Sequence, residues 1–73
     1  MKLNNLGNNK AELVTNSGST VLFSYNTPVA ALHEGNYYRT NEFYSVTTSK
    51  HINQWLDGVK AEEKSPEFFE KLV

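Results

Sequence analysis

The hydrophobic pattern of this chain changes its period near residue 47, which limits it to folds that join a sheet to helices. Before that point, short apolar runs are separated by turns rich in Asn, Ser and Gly. In the clearest run, Val21 and Phe23 lie on one face of a strand, and the residues between them lie on the other. Leu22, on that other face, also favours burial. The pattern predicts strands at residues 2–6, 10–15, 19–25, 29–33, 37–40 and 43–47.

Beyond residue 47 the period becomes helical. Apolar residues recur at i, i+3, i+4 and i+7, the spacing of one face of an amphipathic helix: Ile52, Trp55, Leu56 and Val59. We therefore predict a helix over residues 48–57, with Thr47 or Thr48 as its N-cap. Gly58 is expected to stop or kink it.

A second helix is predicted at residues 66–72. Ser65 is a favourable N-cap, Pro66 suits the first helical position, and Glu67 suits the positive end of the helix dipole. A helix this short is unstable alone, so Phe68 must help it to dock. The expected docking surface is the chain's own sheet or first helix, with a partner or a second copy as the alternative.

These elements predict an α+β fold: a small antiparallel β-meander or half-open barrel of four to six strands, followed by one amphipathic helix and a short C-terminal helix. Residues 1–73 should form a single domain that is β-rich over residues 1–47 and helical over residues 48–73. The predicted core consists of Leu13, Val21, Phe23, Val29, Leu32, Val46, Ile52, Trp55, Leu56 and Phe69.

Length and composition remove several classes of protein. A chain of 73 residues buries only about 60% of its unfolded surface, and without cysteine it has no disulfide or thiolate site. No apolar run approaches the roughly 18 residues of a membrane span, and no signal peptide is recognisable, so we expect a cytoplasmic protein without membrane contact. The formal net charge of −1 disfavours binding driven by nucleic-acid phosphates.

No catalytic or metal-binding motif is present in the sequence. The four glycines are widely separated and form no phosphate-binding loop, and no Gly-x-Ser-x-Gly motif occurs. His33 and His51 are the only histidines and have no ligand spacing around them. We therefore predict that the protein is not an enzyme and uses neither a metal nor another cofactor.

Aromatic residues in the strand region suggest a surface for a partner. Tyr37 and Tyr38 should point to opposite faces, and we expect helices to cover only one face, so at least one tyrosine should be exposed. Tyrosine and arginine are enriched at interaction hot spots, so the predicted partner-binding residues are Tyr37, Tyr38, Arg39 and Tyr44. Ordinary cross-strand aromatic packing and base stacking are the alternatives.

A weaker hypothesis concerns the start of the first predicted helix. Exposed backbone N–H groups and the helix dipole attract anions there, which points to a phosphate or carboxylate site at Thr48, Ser49, Lys50 and His51. The alternative is simple capping, with His51 half-buried or at the surface and hydrogen-bonded locally.

Three sequence blocks resemble a family of small uncharacterised proteins encoded by bacteriophages and prophages. The blocks are TPVAA at residues 27–31, YYRT at residues 37–40 and FYSVTTSKHINQWL at residues 43–56. The resemblance extends over about residues 3–58 and implies no activity or site that can be transferred. It does imply a class, because small phage proteins often bind and inhibit a host factor.

The favoured expectation is a non-enzymatic phage accessory protein that binds and inhibits a host defence factor, such as CRISPR or restriction machinery. One alternative is a nucleic-acid or nucleotide-binding module in which tyrosines stack bases. The other is a structural phage component that forms a homo-oligomer through its C-terminal helix.

Overall fold

A computed structural model of the chain describes residues 2–7 and 9–73, and this part contains a six-stranded sheet and two helices. The strands are β1 (Lys2–Gly7), β2 (Lys10–Val14), β3 (Thr20–Ser24), β4 (Thr27–His33), β5 (Asn36–Thr40) and β6 (Glu62–Lys64). The helices are α1 (Val46–Leu56) and α2 (Pro66–Glu70). The predicted α+β fold class is confirmed.

The strands lie in the sheet in chain order, from β1 at one edge to β6 at the other. The first five form an antiparallel meander, whereas β6 runs parallel to β5 after the chain has passed through α1. Tyr25 and Asn26 join β3 to β4 with positive φ angles of 52° and 66°, as a tight hairpin turn requires. The sheet is therefore open, with two free edges.

Helix α1 begins earlier than the sequence pattern predicts. The backbone of Ser45 is extended, and its Oγ accepts a hydrogen bond of 3.1 Å from the Thr48 amide, which makes Ser45 the N-cap. The predicted strand at residues 43–47 is wrong, as is the predicted cap at Thr47 or Thr48. The predicted stop is confirmed, because Asp57 and Gly58 both adopt positive φ angles after Leu56.

Strand β6 lies between the two predicted helices, in a region where no strand was predicted. Its three residues pair with residues 38–40 of β5, and Asn41 N–H donates to the Lys64 carbonyl at 2.9 Å. Glu and Lys are poor strand formers, so no local signal marks this segment. Its pairing with the outer backbone groups of β5 determines its conformation instead.

The two helices cover opposite faces of the sheet. Leu22 and Ala30 pack in the cluster of α1, whereas their neighbours Val21 and Ala31 pack in the cluster of α2, and adjacent strand residues point to opposite faces. In α2, Phe69 is 0% exposed. The expectation that the short helix docks on its own sheet is therefore confirmed.

The predicted core is largely but not wholly observed. Val21, Val29, Ile52, Leu56 and Phe69 are buried, and Leu13, Phe23, Leu32 and Trp55 are half-buried. The prediction that Val46 belongs to the core is wrong, because Val46 lies at the start of α1 and is 68% exposed. The predicted core leaves out Leu22, whose burial the sequence pattern favours, and also Ala30 and Ala31, because helices were expected on only one face of the sheet.

We predict that Phe69→Ala lowers the free energy of unfolding by roughly 3–5 kcal/mol, because it empties the centre of the α2 cluster. Val46→Ala should change it by less than about 0.5 kcal/mol, since Val46 is mostly exposed. Urea unfolding of both variants measures the difference. Equal losses would contradict the assignment of these two residues to core and surface.

Candidate functional site

The two adjacent tyrosines of β5 each pack against a helix. The Tyr37 ring meets Trp55 of α1 edge-on, with ring centroids 5.9 Å apart. On the opposite face, the Tyr38 ring packs against the ring of Phe68, which belongs to the α2 cluster, with ring centroids 4.9 Å apart. Both tyrosines are half-buried, so the expectation that one of them lies exposed on an uncovered face is wrong.

Arg39 also turns toward a helix of its own chain. Its Nη1 donates a hydrogen bond of 3.2 Å to Asn53 Oδ1 in α1. The side chain is partly exposed and retains guanidinium N–H groups for other contacts. Tyr37 and Arg39 thus share the α1 face with one another, but not with Tyr38.

Tyr44 is the one member of the predicted set that is exposed, and it lies in the connection from β5 to α1. It is 43% exposed, and its neighbour Phe43 is 71% exposed. Val46 follows at the start of α1 with an exposure of 68%. We call the side chains of Phe43, Tyr44 and Val46 the 43–46 patch. Three large apolar side chains within four residues are thus exposed to solvent.

The backbone on both sides of the 43–46 patch is held in place. On the β5 side, Thr40 is buried and its Oγ1 accepts from the Glu42 amide at 3.1 Å. On the α1 side, Ser45 caps the helix and its carbonyl accepts from Ser49 N–H at 3.0 Å. The patch is therefore presented by a short segment between two fixed points.

The residues of the weaker anion hypothesis lie inside α1, because the helix starts at Val46. Thr48 is buried, and its hydroxyl lies 3.0 Å from Ser24 Oγ and 3.2 Å from Ser45 Oγ. Ser49 donates its backbone N–H within the helix, and Lys50 is exposed. Thr48 and His51 both contact Ser24 of the sheet, whereas Lys50 is exposed, so the geometry favours the capping alternative.

His51 is half-buried and anchors α1 to the sheet. Its Nδ1 lies 2.9 Å from Ser24 Oγ at the end of β3, and its ring stacks on Tyr25 with centroids 6.0 Å apart. The predicted half-buried position is observed, although its hydrogen-bond partner is distant in sequence rather than local. The Ser24–Thr48–His51 cluster therefore fixes the end of α1 that carries Val46.

His33 forms a second contact of the same kind, with its Nδ1 2.6 Å from Ser19 Oγ. A serine bonded to a histidine can act as a nucleophile and base. Ser19 and Ser24 are, however, both buried, so neither hydroxyl is open to a substrate. Both pairs satisfy buried polar groups within the fold.

Residues 2–7 and 9–73 also lack two other functional features. In this part of the chain, no three His, Asp or Glu residues lie close enough together to hold a metal ion. None of its helices has the length and apolar character needed to cross a membrane.

Comparison with known proteins places the chain in a family. Residues 1–71 match the model of a family of unknown function, DUF8033, so the chain belongs to that family over nearly its whole length. No curated protein and no solved structure is similar enough to count as a match.

Sequence reasoning missed Phe43 and Val46 as surface residues. An alternating strand at residues 43–47 would have turned some of these side chains inward. The overlooked signal is Ser45, whose hydroxyl can cap a helix three residues before Thr48. A helix that starts directly after Ser45 leaves its first residue, Val46, at the surface.

The two caps provide a matched test of helix start sites. Ser45→Ala should lower the free energy of unfolding by about 1 kcal/mol, because it removes the hydrogen bond to Thr48 N–H. Ser65 makes no such bond, so Ser65→Ala should cost at most a few tenths of a kcal/mol. Thermal or urea unfolding compares them. A larger loss for Ser65→Ala would refute the assignment of Ser45 as the main cap.

Proposed function

We propose that this is a non-enzymatic binding protein whose partner is another protein, and that the 43–46 patch is its main contact. The carrying observation is the simultaneous exposure of Phe43, Tyr44 and Val46 on a segment that is fixed at both ends. Large exposed apolar side chains that lie close together are typical of interaction sites, and these three lie within four residues of the sequence.

The energetic argument favours a protein partner. Full burial of a Phe or Val side chain is worth roughly 1.5–3 kcal/mol, and Tyr adds a hydroxyl that can hydrogen-bond at the rim. Because Ser45 and Thr40 already hold the backbone, little conformational entropy is lost on binding. In this proposal Tyr37, Tyr38 and Arg39 support the sheet and its helices, and Tyr44 makes contact.

The finer form of the proposal concerns the biological setting. We propose that the protein is a phage-encoded accessory protein, acting in the cytoplasm of a bacterial host, which inhibits a defence factor such as CRISPR or restriction machinery by covering part of its surface. The support is the resemblance of residues 27–31, 37–40 and 43–56 to small phage proteins.

We expect Phe43→Ser combined with Tyr44→Ser to weaken binding to the partner by at least roughly thirtyfold, the loss typical of hot-spot residues. The partner is isolated with the native chain as bait in a lysate of bacterial cells, and its affinity for each variant is measured by calorimetry. Fold integrity is checked by circular dichroism, and both side chains are exposed, so the variant should remain folded.

Val59→Ser serves as the matched control, because Val59 is an exposed apolar residue outside the patch. It should bind the partner as tightly as the native chain. Equal binding by the Phe43 and Tyr44 variant would overturn the placement of the contact. Recovery of oligonucleotides in place of a protein, with an affinity that falls steeply with salt, would overturn the choice of partner.

A further inference from the structure

The two edges of the sheet differ in their capacity to accept another strand. Strand β6 is three residues long, and all three are charged, which are both features that block pairing at an edge. Strand β1 is six residues long and Lys2 is its only charged residue. Among the residues that the structure describes, β1 pairs with β2 alone, so its outer backbone groups face solvent.

Apolar side chains flank β1 on both faces of the sheet. On the α2 face, Leu3 is 67% exposed beside a groove with a volume of about 340 Å³ that Leu13 and Phe23 help to line. On the α1 face, Leu6 lies beside Leu22 and Trp55 in another depression. Helix α2 packs over the centre of the sheet, on Val21 and Ala31. An additional strand outside β1 would shield Leu3 and Leu6 together.

We propose that this edge binds β1 of a second copy of the chain, antiparallel across a twofold axis at Asn4, which joins the two sheets into one. Because opposite residues in such a pair lie on the same face, the register must pair even-numbered residues with even-numbered ones. Asn4 of each copy then faces Asn4 of the other, Leu3 faces Asn5, and Lys2 faces Leu6.

This register makes β1 complementary to itself. The lysines lie at opposite ends of the paired segment, so no like charges face one another. The two Leu3 side chains become diagonal neighbours on the α2 face, within reach of each other, and the stem of Lys2 covers Leu6 of the second copy on the α1 face.

Neighbouring registers are less favourable. A twofold axis at Leu3 would pair only the first few residues of the strand. An axis at Asn5 would lead the pairing through the irregularity that β1 shows between Asn5 and Gly7. The axis at Asn4 uses the regular part of the strand most fully.

The other edge determines the size of the assembly. Since the short, charged β6 does not accept a strand, each copy offers only one edge, and the assembly closes at two chains. A contact through one short strand is smaller than a standard protein interface, so we expect a dimer of micromolar or weaker affinity. The 43–46 patch lies outside this contact and remains free in both copies.

The first test measures mass against concentration by sedimentation velocity on the full chain. The native protein should shift from monomer to dimer with rising concentration. Asn4→Lys and Asn4→Glu should each weaken the dimer roughly tenfold or more, because each places like charges opposite one another on the axis. Asn4→Glu also faces Glu12 of β2 in its own chain, so circular dichroism checks that this variant remains folded. An equimolar mixture of the two variants should restore dimerisation, as a heterodimer. Asn36→Lys, on exposed β5 residue Asn36, should leave it unchanged.

The second test uses the absence of cysteine from the chain. Directly opposite residues in an antiparallel pair have Cα atoms about 4.5–5.5 Å apart, which a disulfide can span. Asn4→Cys should therefore form a covalent dimer under mild oxidation, whereas Asn36→Cys should not. A native chain that stays monomeric at millimolar concentration overturns the proposal. So do charge variants that dimerise as well as the native chain, mixtures that fail to restore the dimer, and equal cross-linking at both cysteine positions.

Discussion

The fold depends on the burial of β3 and β4 from both sides. Val21 and Leu22 are adjacent in β3, and Ala30 and Ala31 are adjacent in β4, so each strand carries apolar residues toward both faces. A meander alone would leave both of these faces in water. The chain resolves this by placing α1 on one face and the short α2 on the other, and a helix as short as α2 is stable only through that contact.

Polar contacts then fix how α1 lies on its face. Trp55 Nε1 donates to Glu12 Oε2 of β2 at 3.0 Å, and Ser24 at the end of β3 contacts Thr48 and His51. Within the described residues, every buried side-chain nitrogen and oxygen has a hydrogen-bond partner. Directional contacts of this kind specify the position of a helix more sharply than apolar packing does, and they also set the direction of the 43–46 patch.

Local chemistry explains which elements the sequence predicts. The alternation of apolar and polar residues, together with turn residues, predicts the strands up to β5. Gly58 predicts the end of α1, and Ser65 and Pro66 predict the start of α2. All of these signals act over a few residues. No local signal of this kind predicts β6, because Glu62–Lys64 becomes a strand only by pairing with β5. The prediction of a strand at residues 43–47 is wrong for the opposite reason. Aromatic and β-branched residues in this segment favour a strand, but the cap at Ser45 starts a helix within it.

The same double coverage limits where the candidate site can be. Tyr37, Tyr38 and Arg39 are recognisable in sequence as residues of interface type, but a sheet with a helix on each face uses them mainly for its own packing. Only residues at the periphery are left for partners. Phe43 and Tyr44 lie in a connection that crosses from the sheet to a helix, and Leu3 lies on the edge strand that neither helix covers. In a domain this small, the apolar surface left exposed therefore lies in connections and edges, where exposure depends on topology rather than on residue type.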